Sequence, residues 1–181
     1  MKKCLILLFV LIAACSWQVS KEIQRYSISE RTDVFQEIPM EEVSLAGSAE
    51  LMIKAQIKTH LKGFYLLESK DSLKGAEKYP FLFNIDGQAV VWDVDGKKEN
   101  TLAGAGMRYV LEKRLRLRSG RHKVVMALPS ESYLISIEVA LSENASTLEF
   151  KPLYKVDKSF GPDFTRGLQR FNVFLNGKET S

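Results

Sequence analysis

Apolar and polar residues alternate with a period of two through the stretch SAELMIKAQIKTHLK, which begins at Ser48. This period is typical of a β-strand that buries one of its faces, and Gly63 interrupts it. The sequence therefore predicts a long strand between these two residues. Its expected inward residues are Leu51, Ile53, Ala55, Ile57, Thr59 and Leu61.

A second alternating strand lies in RYVLEKRLRLRSG, and Ser119-Gly120 is a turn signal that leads into the strand RHKVVMAL. Further strands are predicted in SYLISIEVAL, TLEFKPLY and RFNVFLNGK, because turn-forming residues separate these apolar stretches. In RYVLEKRLRLRSG the expected inward residues are Tyr109, Leu111, Leu115 and Leu117, and the expected outward residues are Glu112, Arg114, Arg116 and Arg118.

Two Asp-Gly dipeptides, Asp86-Gly87 and Asp95-Gly96, lie between flanks that are rich in β-forming residues. Both central positions of a type I′ hairpin turn require a positive φ, which Asp and Gly adopt at low cost. We therefore predict a hairpin turn at each dipeptide and a meander of three strands.

The overall pattern predicts an all-β protein. No segment has the period of an amphipathic helix over three turns, and about nine or ten strands joined by short turns are typical of an antiparallel β-sandwich. A jelly-roll-like or partly open barrel is the alternative. We assign residues 41–181 to this single domain. Residues 15–40 alternate only in part, so we interpret them as a tether with room for an edge strand; otherwise they pack as the first strand of the core.

The chain begins with Met1-Lys2-Lys3 and an apolar run that ends in LIAAC, Leu11 to Cys15. An apolar helix of roughly eleven residues spans about 16 Å, which is too short for a hydrocarbon core of about 30 Å. A basic start, a short apolar run and small residues at its end are typical of a secretory signal peptide. We assign this signal peptide to residues 1–14.

The residues Ile12-Ala13-Ala14-Cys15 resemble the lipobox of bacterial lipoproteins. The resemblance implies that signal peptidase II cleaves between Ala14 and Cys15, and that Cys15 carries diacylglycerol and a further acyl chain such as palmitate. It also implies a lipid anchor in the bacterial cell envelope, and Ser16 after the cysteine favours the outer membrane. Two or three acyl chains make such an anchor effectively stable.

A second, weaker resemblance covers roughly residues 108–155. LRLRSGRHKVVMAL followed by ISIEVALSENASTLEFKPLY is similar to PEGA-type and related immunoglobulin-like bacterial surface modules, although the Pro-Glu-Gly-Ala tetrad is absent. This resemblance implies a non-catalytic module of the cell envelope.

Composition limits the possible partners. The chain carries 26 Lys and Arg against 22 Asp and Glu, a net charge of +4. Removal of residues 1–14 takes away Lys2 and Lys3, so the mature net charge is about +2, which together with export argues against nucleic acid as a partner. Cys4 also leaves with the signal peptide, and Cys15 alone cannot form an intramolecular disulfide.

Candidate catalytic and metal-binding residues are sparse. His60 and His122 are far apart in sequence, and we expect both to be solvated surface side chains. The two Asp-Gly turns are expected about 23 Å apart, so they cannot share a calcium ion. The sequence thus predicts no metal, no cofactor and no enzymatic activity. A catalytic pair of carboxylates whose members are distant in sequence is the alternative that this pattern leaves open.

The sharpest local feature is a cationic row on the outward face of the hairpin predicted in RLRLRSGRHK. At period two, the first three arginines lie about 6.6 Å apart on one side. Such a face could bind an anionic lipid or glycan or an acidic protein, or it could be a solvated face paired with Glu112, Glu138 or Glu149. The cationic row consists of Arg114, Arg116, Arg118, Arg121 and Lys123.

Two classes of function follow. The first is a membrane-anchored envelope lipoprotein whose non-catalytic domain binds or scaffolds another envelope component, either a protein or an anionic glycan or lipid. The second is a glycan- or small-ligand-binding module, or a small hydrolase with scattered active-site residues. A deep aromatic cleft near Trp92, Tyr79 or Tyr154 would favour the second class, whereas a filled core and a flat charged face would favour the first.

Overall fold

The computed structural model describes residues 18–42, 47–63, 72–101, 104–156 and 165–180. Within these ranges the protein is mostly β-structure, with ten strands, a short helix α1 at residues 18–26 and a 3₁₀ turn at Pro129–Glu131. The prediction of an all-β protein is therefore confirmed. The strands are β1 (Phe35–Ile38), β2 (Ala49–His60), β3 (Lys78–Ile85), β4 (Gln88–Thr101), β5 (Gly104–Leu117), β6 (Gly120–Leu128), β7 (Tyr133–Leu141), β8 (Ala145–Val156), β9 (Thr165–Leu175) and β10 (Lys178–Glu179).

The strands form one mixed sheet that curls into a half-barrel. Their order is β10-β9-β8-β2-β5-β4-β3-β6-β7, with β1 beside β5. The predicted sandwich requires two clearly separate facing sheets, whereas here β4 continues from one half of the sheet into the other. The arrangement is therefore closer to the partly open barrel that was the alternative.

One strand pair departs from the predicted antiparallel arrangement. Residues Glu50–Ala55 of β2 pair in parallel with Ala145–Phe150 of β8. Strand direction alternates from β2 through β5, β4, β3 and β6 to β7, and the short turn after β7 reverses the chain once more. Because the curl brings β8 back beside β2, the two strands meet in the same direction, so the purely antiparallel prediction is wrong at this pair.

Aliphatic and aromatic side chains from both halves of the sheet fill the inner face of the half-barrel. The inward residues predicted for β2 and β5 include Leu51 and Leu115, which are 0% exposed. The ring centroid of Phe83 lies 5.3 Å from that of Trp92 and 5.6 Å from that of Phe150. Burial of a large apolar side chain contributes about 1.5–3 kcal/mol, so this core is the main source of stability.

The two Asp-Gly dipeptides have different roles. Asp86 and Gly87 have φ values of 47° and 91° and form the predicted turn between β3 and β4. The turn predicted at Asp95-Gly96 is wrong, because β4 continues through it and exchanges its partner β3 for β5. A Cβ atom at Gly96 would lie 2.5 Å from Met107 Cε and 2.7 Å from Tyr109 Cε1, so glycine permits close packing here.

The segment interpreted from the sequence as a tether contributes two elements to the domain. Helix α1 packs Val19 and Ile23 onto the outward face of β3, β6 and β7, against Leu82, Ala127 and Leu134. The chain then crosses the β3–β4 turn, and β1 pairs antiparallel with β5 from Phe35–Leu117 to Ile38–Arg114. Residues 18–38 therefore lie on the sheet and do not separate it from the start of the chain.

Candidate functional site

The predicted lipidation residue Cys15 and the cleavage site Ala14–Cys15 lie outside the described residues. The first described residue is Gln18, which lies within α1. Three residue steps separate Cys15 from Gln18, and a fully extended chain spans them in about 11 Å at most. The described part of α1 therefore lies close in sequence to the predicted anchor residue.

Arg114, the first member of the cationic row, is engaged inside the domain. Its Nη2 and Nε atoms lie 2.6 Å and 3.2 Å from Oε2 of Glu50. Its Nη1 atom donates to the carbonyl oxygens of Met40 and Glu42. The side chains of Arg114 and Glu50 are only 13% and 3% exposed, so this charged pair fastens residues 39–42 over the sheet.

Arg116 is held in a similar way. Its Nη2 lies 2.6 Å from Oε1 of Glu42, and its side chain is 16% exposed. The two acidic partners of the first two arginines, Glu50 and Glu42, are 64 and 74 residues away along the chain. No local sequence pattern indicates such partners.

The other members of the cationic row, Arg118, Arg121 and Lys123, are exposed around the β5–β6 turn. Lys123 Nζ lies 3.0 Å from the phenol oxygen of Tyr26 and 5.3 Å from the centroid of its ring. The members of the cationic row thus fall into two groups with different surroundings. The first two arginines are covered and ion-paired, whereas the last three members face solvent.

A cleft of about 450 Å³ opens where the end of α1 meets the β3–β4 turn. Arg25 Nη2 and Lys123 Nζ each lie 3.0 Å from Oη of Tyr26, and Arg25 Cζ lies 4.8 Å from the ring centroid. Two cationic groups are thereby held on one phenol, an arrangement that suits a group with several anionic oxygens. We call this site the Tyr26 cleft; its lining residues are Arg25, Tyr26, Ile28, Glu30, Asn84, Asp86, Gly87 and Lys123.

Backbone contacts fix the position of the Tyr26 cleft. Asn84 Nδ2 donates to the carbonyl oxygen of Tyr26 at 3.0 Å and ties the end of α1 to β3. The carbonyl oxygen of Gly87 accepts from the backbone N–H groups of Glu30 and Arg31, at 2.8 Å and 3.2 Å. The left-handed conformation of the Asp86-Gly87 turn therefore supports the segment that carries the cleft.

Tyr26 has a different electrostatic environment from the tyrosines of the core. The hydrogen bond from Lys123 is the main influence that lowers the pKa of Tyr26, because a cationic donor favours the phenolate form. Burial raises the pKa of Tyr79, Tyr109 and Tyr154. Tyr26 is therefore more acidic than these three tyrosines.

Asp86 and His122 form a second polar cluster beside the cleft. His122 Nδ1 lies 2.7 Å from Oδ2 of Asp86, and Nε2 lies 2.9 Å from the carbonyl oxygen of Arg118. Oδ1 of Asp86 accepts a hydrogen bond of 2.8 Å from the backbone N–H of Lys123. The expectation that His122 is solvated is wrong, since its side chain is 8% exposed and joins the β3–β4 and β5–β6 turns.

The geometry of His122 supports a structural contact. In a catalytic triad, one ring nitrogen of the histidine accepts the serine proton while the other faces the acid. Here the nitrogen opposite Asp86 faces a backbone carbonyl instead. Across the described ranges, no group of three or more His, Cys, Asp or Glu side chains is placed to hold a metal ion.

The described part of the chain contains no helix with the length and apolarity needed to cross a membrane.

The three aromatic residues that distinguish the two classes of function are packed in the domain. Trp92 and Tyr79 are 7% and 0% exposed. Trp92 Nε1 donates to Oε2 of Glu37 at 2.9 Å, and Tyr154 Oη accepts from the backbone N–H of Lys58 at 2.6 Å. These aromatic side chains therefore make their contacts within the domain.

No pattern in the sequence indicates the contribution of Arg25 and Tyr26. The described part of their helix covers nine residues, which is shorter than the three turns over which a helical period becomes clear. The available signal is the spacing of four between Val19 and Ile23, which places both on one helical face.

In comparisons with known proteins, no family model matches the chain, and neither a similar curated protein nor a similar solved structure was found.

Proposed function

We propose that the chain is a lipid-anchored protein of the bacterial cell envelope, held in the outer membrane through Cys15. Its non-catalytic β-domain binds or scaffolds another envelope component. The observation that carries this proposal is the lipobox-like run Ile12-Ala13-Ala14-Cys15 at the end of a short apolar segment. The domain begins within a few residues of this run, so binding takes place next to the membrane.

The filled core supports a role for the surface of the domain. Tyr79 and Phe81 are 0% exposed within the half-barrel, and Trp92 lies among them at 7%. The Tyr26 cleft, in contrast, presents two cationic groups and a phenol to the outside. This surface suits a partner with anionic groups, and the core serves to hold its elements in place.

The lipid anchor is tested by metabolic labelling with an alkyne analogue of palmitate in cells that express the full chain. Cys15→Ala should abolish labelling and release the protein from the membrane fraction. Cys4→Ala is the matched control, because Cys4 is the other cysteine and the proposal places it in the removed signal peptide. Equal labelling of the Cys15→Ala and Cys4→Ala chains would refute the anchor.

The scaffolding role is tested by chemical crosslinking of whole cells, followed by purification of the full chain and mass spectrometry. A specific envelope component should be recovered with the wild-type chain and lost with Cys15→Ala, because the unanchored chain leaves the membrane. Recovery of the same components with both chains would contradict a role that depends on the anchor.

A further inference from the structure

Two highly exposed aliphatic side chains lie on the same side of the domain as α1. Ile28, just after the helix, is 61% exposed, and Val91 of β4 is 53% exposed. Val91 pairs directly with Leu82 of β3, and Leu82 packs under Ile23 of α1. Because directly paired residues in neighbouring strands point to the same face, Val91 lies beside the helix.

Cationic groups accompany these aliphatic side chains. Arg25 and Lys123 meet on the phenol of Tyr26, next to Ile28 in the cleft. Arg121 lies two residues before Lys123 in β6, so both point outward on the face that α1 covers. We call the surface formed by α1, Ile28, Val91, Arg121 and Lys123 the α1 face.

Several carboxylates on this side are already engaged. Asp33 pairs with Arg31 at 3.0 Å, and Asp86 accepts hydrogen bonds from His122 and from the backbone of Lys123. Three further carboxylates lower the net charge of the surroundings: Glu22 in α1, Glu30 in the Tyr26 cleft and Glu138, which pairs with Lys123 across β6 and β7. The attraction for an anion therefore depends on the local cluster at Tyr26 and not on the total charge.

Residues 1–17, which contain the predicted anchor, lead directly into α1. Gln18 follows Cys15 by three residues, or about 11 Å of extended chain. Helix α1 rises about 1.5 Å per residue, so Tyr26 lies about 12 Å further along the helix. If Cys15 is held at a membrane, the end of α1 that carries Tyr26 lies within about 23 Å of that membrane.

We propose that the α1 face lies against a bilayer that contains anionic phospholipid. Ile28 and Val91 enter the interfacial region, and Arg25 and Lys123 bind phosphate oxygens of the headgroups. Surface elements that combine exposed aliphatic groups with Lys and Arg bind anionic bilayers in this way. The choice of a membrane as partner rests on the proposed function, because the anchor at Cys15 is what places this face next to the lipid.

The orientation of the α1 face towards the bilayer is tested with the full chain in which Cys4→Ser and Cys15→Ser remove both native cysteines. One cysteine is then introduced and labelled with an environment-sensitive fluorophore. The labelled positions are Ile28→Cys, Val91→Cys and the control Val110→Cys, which is an exposed valine at 45% on the outward face of β5. The chains are purified in detergent and reconstituted into vesicles of phosphatidylcholine alone or with phosphatidylglycerol.

In vesicles with phosphatidylglycerol, the fluorophores at residues 28 and 91 should shift to shorter wavelength and be quenched by lipids with a spin label in the acyl chain. The fluorophore at residue 110 should show neither effect. Equal responses at all three positions, or none at residues 28 and 91, would overturn the proposal. Failure of the chain to float with these vesicles would overturn it as well.

The role of charge is tested by lipid titration of Arg121→Gln/Lys123→Gln in the same Cys-free chain. Its affinity for vesicles with phosphatidylglycerol should fall about twenty-five-fold, because each of the two cations near the anionic surface contributes about fivefold. Lys97→Gln/Lys98→Gln removes the same charge from exposed positions on the far half of β4 and should leave the affinity unchanged. Equal losses in the two double variants would overturn the proposal.

These measurements use a chain that cannot be lipidated, so they are independent of palmitate labelling at Cys15. If the chain is labelled at Cys15 but residues 28 and 91 show no contact with lipid, the proposed function stands and the proposed contact of the α1 face with the membrane is refuted.

Discussion

The cationic row from Arg114 to Lys123 contains two parts that share one alternating pattern and have different surroundings. Arg114 lies against Glu50 and beneath residues 39–42, and its side chain is 13% exposed. Lys123 lies at the rim of the Tyr26 cleft and is exposed. A period of two thus indicates which side chains point away from the core, but not which of them the rest of the chain covers.

The same charge has different energetic consequences in the two parts. A buried arginine that loses its acidic partner leaves an uncompensated charge, which destabilises a protein by several kcal/mol. An exposed cation contributes little to folding and remains available to a ligand. We therefore expect the covered arginines to contribute strongly to stability and the exposed cations to contribute little, and four predictions test this division.

The largest effect is expected for Arg114→Ala. The substitution leaves Glu50 buried without its charged partner and removes the hydrogen bonds to residues 40 and 42, so the free energy of unfolding should fall by about 3–5 kcal/mol. Urea denaturation followed by circular dichroism measures the change. Arg170→Gln, at an exposed position of β9, is the control. A loss below about 1 kcal/mol would place Arg114 among the exposed cations.

A smaller effect is expected for Asp86→Ala, which acts on the exposed part of the row. It removes the acceptor of His122 Nδ1 and of the backbone N–H of Lys123 and leaves a buried donor unsatisfied. The expected loss of stability is about 1–3 kcal/mol. Urea denaturation against Asp93→Ala, an exposed aspartate in the same strand pair, measures it. Equal losses of stability in Asp86→Ala and Asp93→Ala would show that the contact between Asp86 and His122 does not stabilise the protein.

A still smaller change is expected for Lys123→Gln. Its partner Tyr26 is near the surface, so stability should change by less than about 1 kcal/mol. The denaturation midpoint of this variant, compared with that of Arg114→Ala, gives the contrast between the two parts directly. Comparable losses in the two variants would contradict the division of the row.

The smallest effect is expected in the titration of Tyr26. Lys123 stabilises the phenolate of Tyr26, so Lys123→Gln should raise the pKa of this tyrosine towards its ordinary value. Ultraviolet absorption of tyrosinate during alkaline titration follows the change, and Tyr26→Phe identifies the signal. A Tyr26 signal that titrates at the same pH with and without Lys123 would contradict the contact.

The alternation of apolar and polar residues with a period of two made two features predictable. They are the all-β class and the inward residues of β2 and β5. Leu51 and Leu115 are buried because alternation is a local property of each strand. The parallel pairing of β2 with β8 was not predictable, because it depends on how the whole sheet curls. The same holds for Gly96, whose contacts with Met107 and Tyr109 arise from the packing of β4 on β5.

The candidate site was predictable only in part. The sequence identified Arg121 and Lys123 as outward cations, and the structure exposes them. It did not indicate that Glu50 and Glu42 cover Arg114 and Arg116, because these partners are more than sixty residues away. Tyr26, 97 residues from Lys123, was missed for the same reason.

The most direct test of the division is covalent modification of the native full chain with phenylglyoxal, an arginine-specific reagent. Mass spectrometry of peptides resolves the modification rate at each arginine. Arg118 and Arg121 should react rapidly, and Arg114 and Arg116 should stay protected until the protein is unfolded in urea. Equal rates at all four arginines in the native protein would show that the row is one continuous exposed face and would contradict the account.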